Sequence, residues 1–276
     1  MTILVPTDFS KLSKVAVLYA ARIAKKLKAD VILLAVIDMN TSAASSIRWG
    51  KLQDEIIKTA GQDAEELLEE VRSQVKGNLE IAYHHVIGHP VEDRIEKFAV
   101  DNGVDLIVMG TKGASGLKKV VLGTNAAAVI DNSSRPVIVV PGETEFMQIK
   151  KIVYASDMTN ITEEIETLAK FASIFDASIR VLHVIPANSK TKISIQKTVA
   201  DLVQQTKYAK ISLKISSSDS IADAVDSFVA EQKADMLAMF THKLDFYEKL
   251  FGKSVTRQQA FHVSVPLLTF NKTTLI

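Results

Sequence analysis

Glycines recur through the segment Gly110-Thr-Lys-Gly-Ala-Ser-Gly-Leu-Lys-Lys-Val-Val-Leu-Gly-Thr-Asn125, with Gly110, Gly113 and Gly123 separated by two and then nine residues. Glycine admits positive φ, and without a Cβ it lets the backbone approach a bulky anion. Beyond Gly123, Thr124 offers a hydroxyl and Asn125 an amide just where a helical pattern opens. The free N–H groups at the start of a helix form a ready phosphate site. Lys112, Lys118 and Lys119 add positive charge. The segment is therefore equipped to hold a polyphosphate. It is not a P-loop, because the GxxxxGK[ST] spacing is absent, and no GxGxxG follows the first strand. Glycines at a strand-to-helix junction can also do no more than relieve sterics.

Such a segment must be positioned by the elements around it, and those follow from the apolar pattern. Ile3 to Val5, Val31 to Ile37, Leu79 to Val86, Asp105 to Met109 and Pro136 to Val140 read as strands. Amphipathic stretches at Ser13 to Leu27, Leu52 to Val75, Val91 to Val100 and Asn125 to Ile130 read as helices between them. Near-continuous Val/Ile/Leu strands belong to a parallel sheet covered on both faces. The expected fold is α/β, a doubly wound open sheet of five parallel strands. Ligands of such sheets bind outside the carboxyl ends of the strands. Pro6-Thr7-Asp8 after the first strand, Val36-Ile-Asp38 after the second and Met109-Gly110 after the fourth lie there.

The second half repeats the series in order. Ile3-Leu-Val-Pro-Thr-Asp8 returns as Ile152-Val-Tyr-Ala-Ser-Asp157, and Asp105-Leu-Ile-Val-Met109 as Asp235-Met-Leu-Ala-Met239. Lys28 to Leu33 and Arg135 to Val140 return as Asp176 to Val181 and Val265 to Phe270. This is a tandem duplication, with domains expected at residues 1–143 and 149–276. The 276 residues suffice for two cores. Thirty-three basic against thirty-two acidic residues, a formal charge of +1, give no global reason to expect nucleic acid or an anionic membrane. Without cysteine, disulfides and thiolate chemistry are excluded. With no leader pattern at Met1 and no apolar run near ~18 residues, the expectation is a cytoplasmic protein.

The pattern Gly110-x2-Gly113-x9-Gly123-Thr124 resembles the G-2x-G-9x-G-[S/T] motif of the ATP-binding universal stress proteins. Ile3-Leu-Val-Pro-Thr-Asp8-Phe-Ser10 and Gly88-His-Pro90 are similar to that family too, and the likeness extends over both halves. The resemblance implies a Rossmann-like fold of the universal stress protein type. It further implies that Asp8, with Thr7 beside it, holds the ribose or the adenine edge, that Val36 offers backbone groups to adenine, and that Pro6 and Met109 flank the base. Gly110, Lys112, Gly113, Gly123, Thr124 and Asn125 would take ribose and phosphates of ATP, ADP or AMP, with Mg²⁺ held only through the phosphates. In that family the last strands pair between domains, which implies an internal pseudo-dimer here and allows a homodimer. The second copy departs from the motif, with Phe240 and Lys243 in place of Gly110 and Gly113. That half is expected to be structural or regulatory.

No catalytic residue is assigned from spacing. Three roles stay open: nucleotide-dependent signalling in a stress response, slow ATP hydrolysis or phosphotransfer in the same pocket, and a non-binding scaffold. His84 and His85 invite a metal with His89, but neighbours on a strand face opposite ways. Thr41 to Trp49 is expected to be a polar loop, either a lid or simply mobile.

Overall fold

The computed structural model describes residues 1–38, 47–75, 79–111, 123–146, 148–187, 193–241 and 264–271. The described residues up to Thr144 form one compact unit and those from Glu145 onward a second.

The first unit contains β1 (Thr2–Thr7), α1 (Lys11–Leu27), β2 (Asp30–Ile37), α2 (Ile47–Gln74), β3 (Ile81–Ile87), α3 (Val91–Asp101), β4 (Leu106–Gly110), α4 (Thr124–Asn132) and β5 (Val137–Val140). Its strands lie in the order β3-β2-β1-β4-β5 and every pairing is parallel. Two successive steps in one direction, β1 to β2 to β3, need right-handed crossovers that put α1 and α2 on one face. The return to β4 and β5 puts α3 and α4 on the other. Accordingly α1 packs beside α2, and α3 beside α4. Strands β4 and β5 are apolar and buried almost throughout, as a sheet covered on both faces requires. Helix α1 meets the sheet through small residues, Ala16, Ala20, Ala21 and Ala24, which are fully buried. It ends at Lys28, whose left-handed backbone (φ 53°) returns an N–H to Ala24.

Helix α2 begins at Ile47, so the last three residues of the stretch expected to be a loop are helical. The polar Ser/Ala run before them hides the helical period. The remaining residues of that stretch, 41–46, lie outside the described residues.

The second unit contains β6 (Lys151–Ala155), α5 (Ile161–Phe175), β7 (Ser178–Ile185), α6 (Ile195–Thr206), β8 (Ile211–Ser217), α7 (Ile221–Gln232), β9 (Met236–Phe240) and β10 (Leu267–Phe270). Its strands are also parallel, in the order β10-β9-β6-β7-β8. This repeats the first sheet strand for strand, as the duplication predicts.

Candidate functional site

The chain leaves β1 through a tight turn at Asp8, Phe9 and Ser10. Phe9 adopts a left-handed backbone, φ 58°, and side chains hold the turn closed. Thr7 Oγ1 accepts from Phe9 N, and Asp8 Oδ1 from Ser10 N, each at 3.0 Å. Ser10 then caps α1, accepting from Ser13 N at 3.3 Å. The Ser13 hydroxyl donates to Ser10 O at 3.0 Å and accepts from Thr7 Oγ1 at 3.1 Å. Burial pushes the Asp8 carboxyl up, but hydrogen bonds from Ser10 and Ser13 outweigh it and hold Asp8 below its ordinary value of 3.8. Asp8 is therefore an anion at neutral pH.

Around this turn lies a cavity of about 440 Å³, within the range of small-molecule and cofactor sites. β1 contributes Pro6 and Thr7 to its wall, with Asp8 just beyond, and β2 contributes Leu34 and Val36, with Asp38 just beyond. β4 supplies Met109 and Gly110, with Thr111 just beyond, while Gly123, Thr124 and Asn125 bring in the start of α4. Nine of the eleven residues singled out from the sequence thus line one pocket; the other two, Lys112 and Gly113, lie outside the described residues. The strand-end rule accounts for the convergence, because the switch in strand order between β1 and β4 is where the connections diverge.

The charge in the pocket is of two kinds. Asp8 and Asp38 are acidic, and no lysine or arginine is among the described lining residues. The beginnings of α1 and α4 both reach the pocket, and neither has an acidic residue in its first turn, unlike α3 with Glu92 and Asp93. Gly123 makes no side-chain cap for α4. The N–H groups of that first turn therefore keep their capacity to bind an anion.

Gly110 has a steric reason to be glycine beside the one read in the sequence. A Cβ there would lie 3.0 Å from Leu12 O and 3.3 Å from Leu12 C. The missing side chain makes room for the backbone of α1. At the rim, His89 Nδ1 stands 3.0 Å from Asp38 Oδ1. His84 turns instead to Phe98 and His85 to Tyr83, with ring centroids 5.5 and 6.3 Å apart. Among the described residues no group of three or more His, Asp or Glu is arranged to hold a metal ion.

The pocket also includes Ser10, Ser13 and Thr111, which the sequence reading passed over. Ser10 and Ser13 carry the spacing of a helix cap directly after a strand, a signal that was available. Thr111 recurs as Thr241 in the repeat.

In the second unit the turn after β6 has the same construction. Ser156 Oγ accepts from Met158 N at 3.0 Å and Asp157 Oδ1 from Thr159 N at 2.8 Å, and Met158 is left-handed at φ 66°. At the place of Gly110, Phe240 is buried, stacked on Phe270 with centroids 4.7 Å apart and edge-on to Tyr154 at 5.7 Å.

Two tandem open α/β units, the first with a pocket at its topological switch point, define a Rossmann-like duplicated protein. The Universal stress protein family matches residues 1–141, and the chain belongs to that family. Universal stress protein MJ0531 of Methanocaldococcus jannaschii is 36% identical over 141 residues, covering 50% of this chain and 80% of the relative. Universal stress protein MJ0577 of the same organism is 33% identical over 152 residues, covering 50% of this chain and 93% of its own. The crystal structure of a universal stress protein from Archaeoglobus fulgidus DSM 4304 has a TM-score of 0.70 at 18% identity and covers 98% of this chain and 96% of its own. Its likeness extends the family fold to both halves.

Proposed function

We propose that the first unit binds an adenine nucleotide, ATP or its ADP and AMP relatives, and that occupancy governs the tandem's role in a stress response or in signalling. The observation that supports this best is the pocket wall itself, where Asp8, Val36 and Gly110 meet the uncapped start of α4 at Gly123, Thr124 and Asn125. Asp8 would take ribose or adenine hydrogen bonds, Val36 the adenine edge, and Pro6 and Met109 the faces of the base. Thr7 supports the turn that carries Asp8. Gly110, Lys112, Gly113 and the α4 start would hold ribose and phosphates, with Mg²⁺ bound through the phosphates alone.

The second unit, with Phe240 at the Gly110 position, is proposed to be structural or regulatory. The cytoplasm is the proposed location; no helix among the described residues is long and apolar enough to cross a membrane. β5 and β10 are the last strands of the two copies, and pairing through such strands is the proposed basis for a pseudo-dimer of the two domains.

Titration of the purified full chain with ATP is expected to show one site. Gly123 has an extended backbone, φ −69° and ψ 155°, which valine tolerates, so Gly123→Val is expected to abolish binding while the protein stays folded. Absence of ATP binding to wild type would sink the proposal.

The Asp38 and His89 pair supports a second reading, slow hydrolysis. With Nδ1–H donated to Asp38, His89 Nε2 would take a proton from a water whose oxygen attacks the terminal phosphorus. The bond to the bridging oxygen then breaks and ADP leaves. Phosphate release by His89→Ala equal to that of wild type would remove this reading.

A further inference from the structure

The two copies end their fourth strands with the same residue, Thr111 after Gly110 and Thr241 after Phe240. Both threonines extend the sheet in the same way. Thr111 N donates to Val140 O at 3.1 Å, and Thr241 N to Phe270 O at 2.9 Å. Their hydroxyls are treated differently. Thr241 Oγ1 donates to the Phe270 carbonyl at 3.3 Å. Thr111 is only 2% exposed, and its Oγ1 has no hydrogen-bond partner among the described residues.

A buried hydroxyl without a partner is destabilising, so native proteins rarely keep one that nothing else satisfies. Thr111 lines the pocket beside Gly110 and shares it with the uncapped start of α4. Two independent features of this wall therefore await the same kind of group. The helix start offers N–H donors and positive potential, and the hydroxyl is a donor to which the protein gives no acceptor. An anionic oxygen satisfies both.

We propose that Thr111 is a ligand-contacting residue whose hydroxyl donates to a phosphate oxygen of the bound nucleotide, which rests on the nucleotide-binding reading above. In the second unit, where Phe240 replaces Gly110, the matching hydroxyl is consumed by the backbone. The state of this one threonine thus distinguishes a copy that receives an anion from one that does not.

Thr111→Val removes the hydroxyl at nearly constant shape, Thr111→Ser keeps it, and Thr241→Val is the matched control. Each full-length variant is titrated with ATP and with adenosine and is unfolded thermally without ligand. T111V is expected to bind ATP ~10-fold more weakly, as loss of one good hydrogen bond implies. T111S should stay within about 2-fold of wild type. The unliganded Tm of T111V should be no lower than that of wild type, because the deleted group had no partner to lose. T241V should show the reverse, a lowered Tm and unchanged ATP affinity. Wild-type ATP affinity in T111V overturns the proposal. A T111V loss as large for adenosine as for ATP overturns it too, as does an unliganded Tm lowered as in T241V. Failure of wild type to bind ATP removes the nucleotide reading itself, whereas binding by wild type with T111V unaffected removes only the role of Thr111.

Discussion

Replacing Gly110 with alanine sets a single methyl group against the backbone of α1. The added carbon would sit 3.0 Å from Leu12 O, 3.3 Å from Leu12 C and 3.5 Å from Ser13 N. None of these atoms ends a flexible side chain, so relief requires β4 and the first turn of α1 to part by a few tenths of an ångström. That turn is held by the Ser10 cap and the Thr7 and Ser13 hydroxyl pair, and the helix beyond it is packed on the sheet. Overpacking of this kind costs roughly 1–3 kcal/mol. Alanine also narrows the unfolded ensemble, which returns about 0.4–1 kcal/mol. The net expectation is a destabilisation of about 1–2 kcal/mol, seen as a lower denaturant midpoint with unchanged slope. Unfolding is followed by far-UV circular dichroism. Gly61→Ala is the matched control, because nothing lies within 4 Å of its Cβ position and it sits inside α2. It should stabilise by about 0.5–1 kcal/mol. A G110A protein as stable as wild type, with G61A behaving as expected, would refute the steric account of Gly110.

Two further substitutions probe the turn after β1 and the core of the second unit. The Asp8 carboxyl is held below 3.8 in the folded chain, so its charge stabilises the fold above the unfolded value of about 3.9, and that contribution is lost as pH falls through the lower folded value. The stability gap between wild type and Asp8→Asn, measured by denaturant unfolding, should therefore be larger at pH 7 than at pH 3; an equal gap at both contradicts the assignment. Tyr154 donates its hydroxyl to Glu164, both side chains being buried, and burial followed by the charge of Glu164 raises the hydroxyl well above its ordinary value of 10.0. Tyr154→Phe is expected to cost about 1–3 kcal/mol in thermal unfolding with ATP titration unchanged, and an unaltered Tm would contradict the role given to that bond.

Most of the fold was legible because the central strands, such as β1, β2, β4 and β5, are nearly unbroken apolar runs and most of the helices between them keep a clear amphipathic period. The positions of Pro6, Asp8, Val36 and Met109 in the pocket wall were legible because, in an open parallel sheet, the residues at the carboxyl ends of the strands surround the crevice. What the sequence hid depends on contacts distant along the chain. Gly110 looked like space for an anion, but its closest constraint is Leu12, reached only when α1 folds back over β4. Thr111 drew no reading from the sequence, because a threonine inside a glycine-spaced segment carries no signal of its own. Only comparison of its hydroxyl with that of Thr241, each read against the strand it pairs with, gives it meaning. The start of α2 was missed because residues 47–49 follow a Ser/Ala stretch with no helical period of its own.

The turn that carries Asp8 recurs around Asp157 in a unit where Phe240 has replaced the glycine. The chain uses this turn to launch a helix in both units, with glycine or with phenylalanine at the end of the fourth strand. In a mutational survey of cells, changes at Thr7, Asp8 and Ser10 should therefore lower protein abundance along with any nucleotide-dependent phenotype, since a loss of 1–2 kcal/mol is enough to expose a marginal fold to proteolysis. Thr111→Val, which keeps the shape of that buried side chain, should instead leave abundance untouched, which makes it the cleaner genetic handle on the pocket.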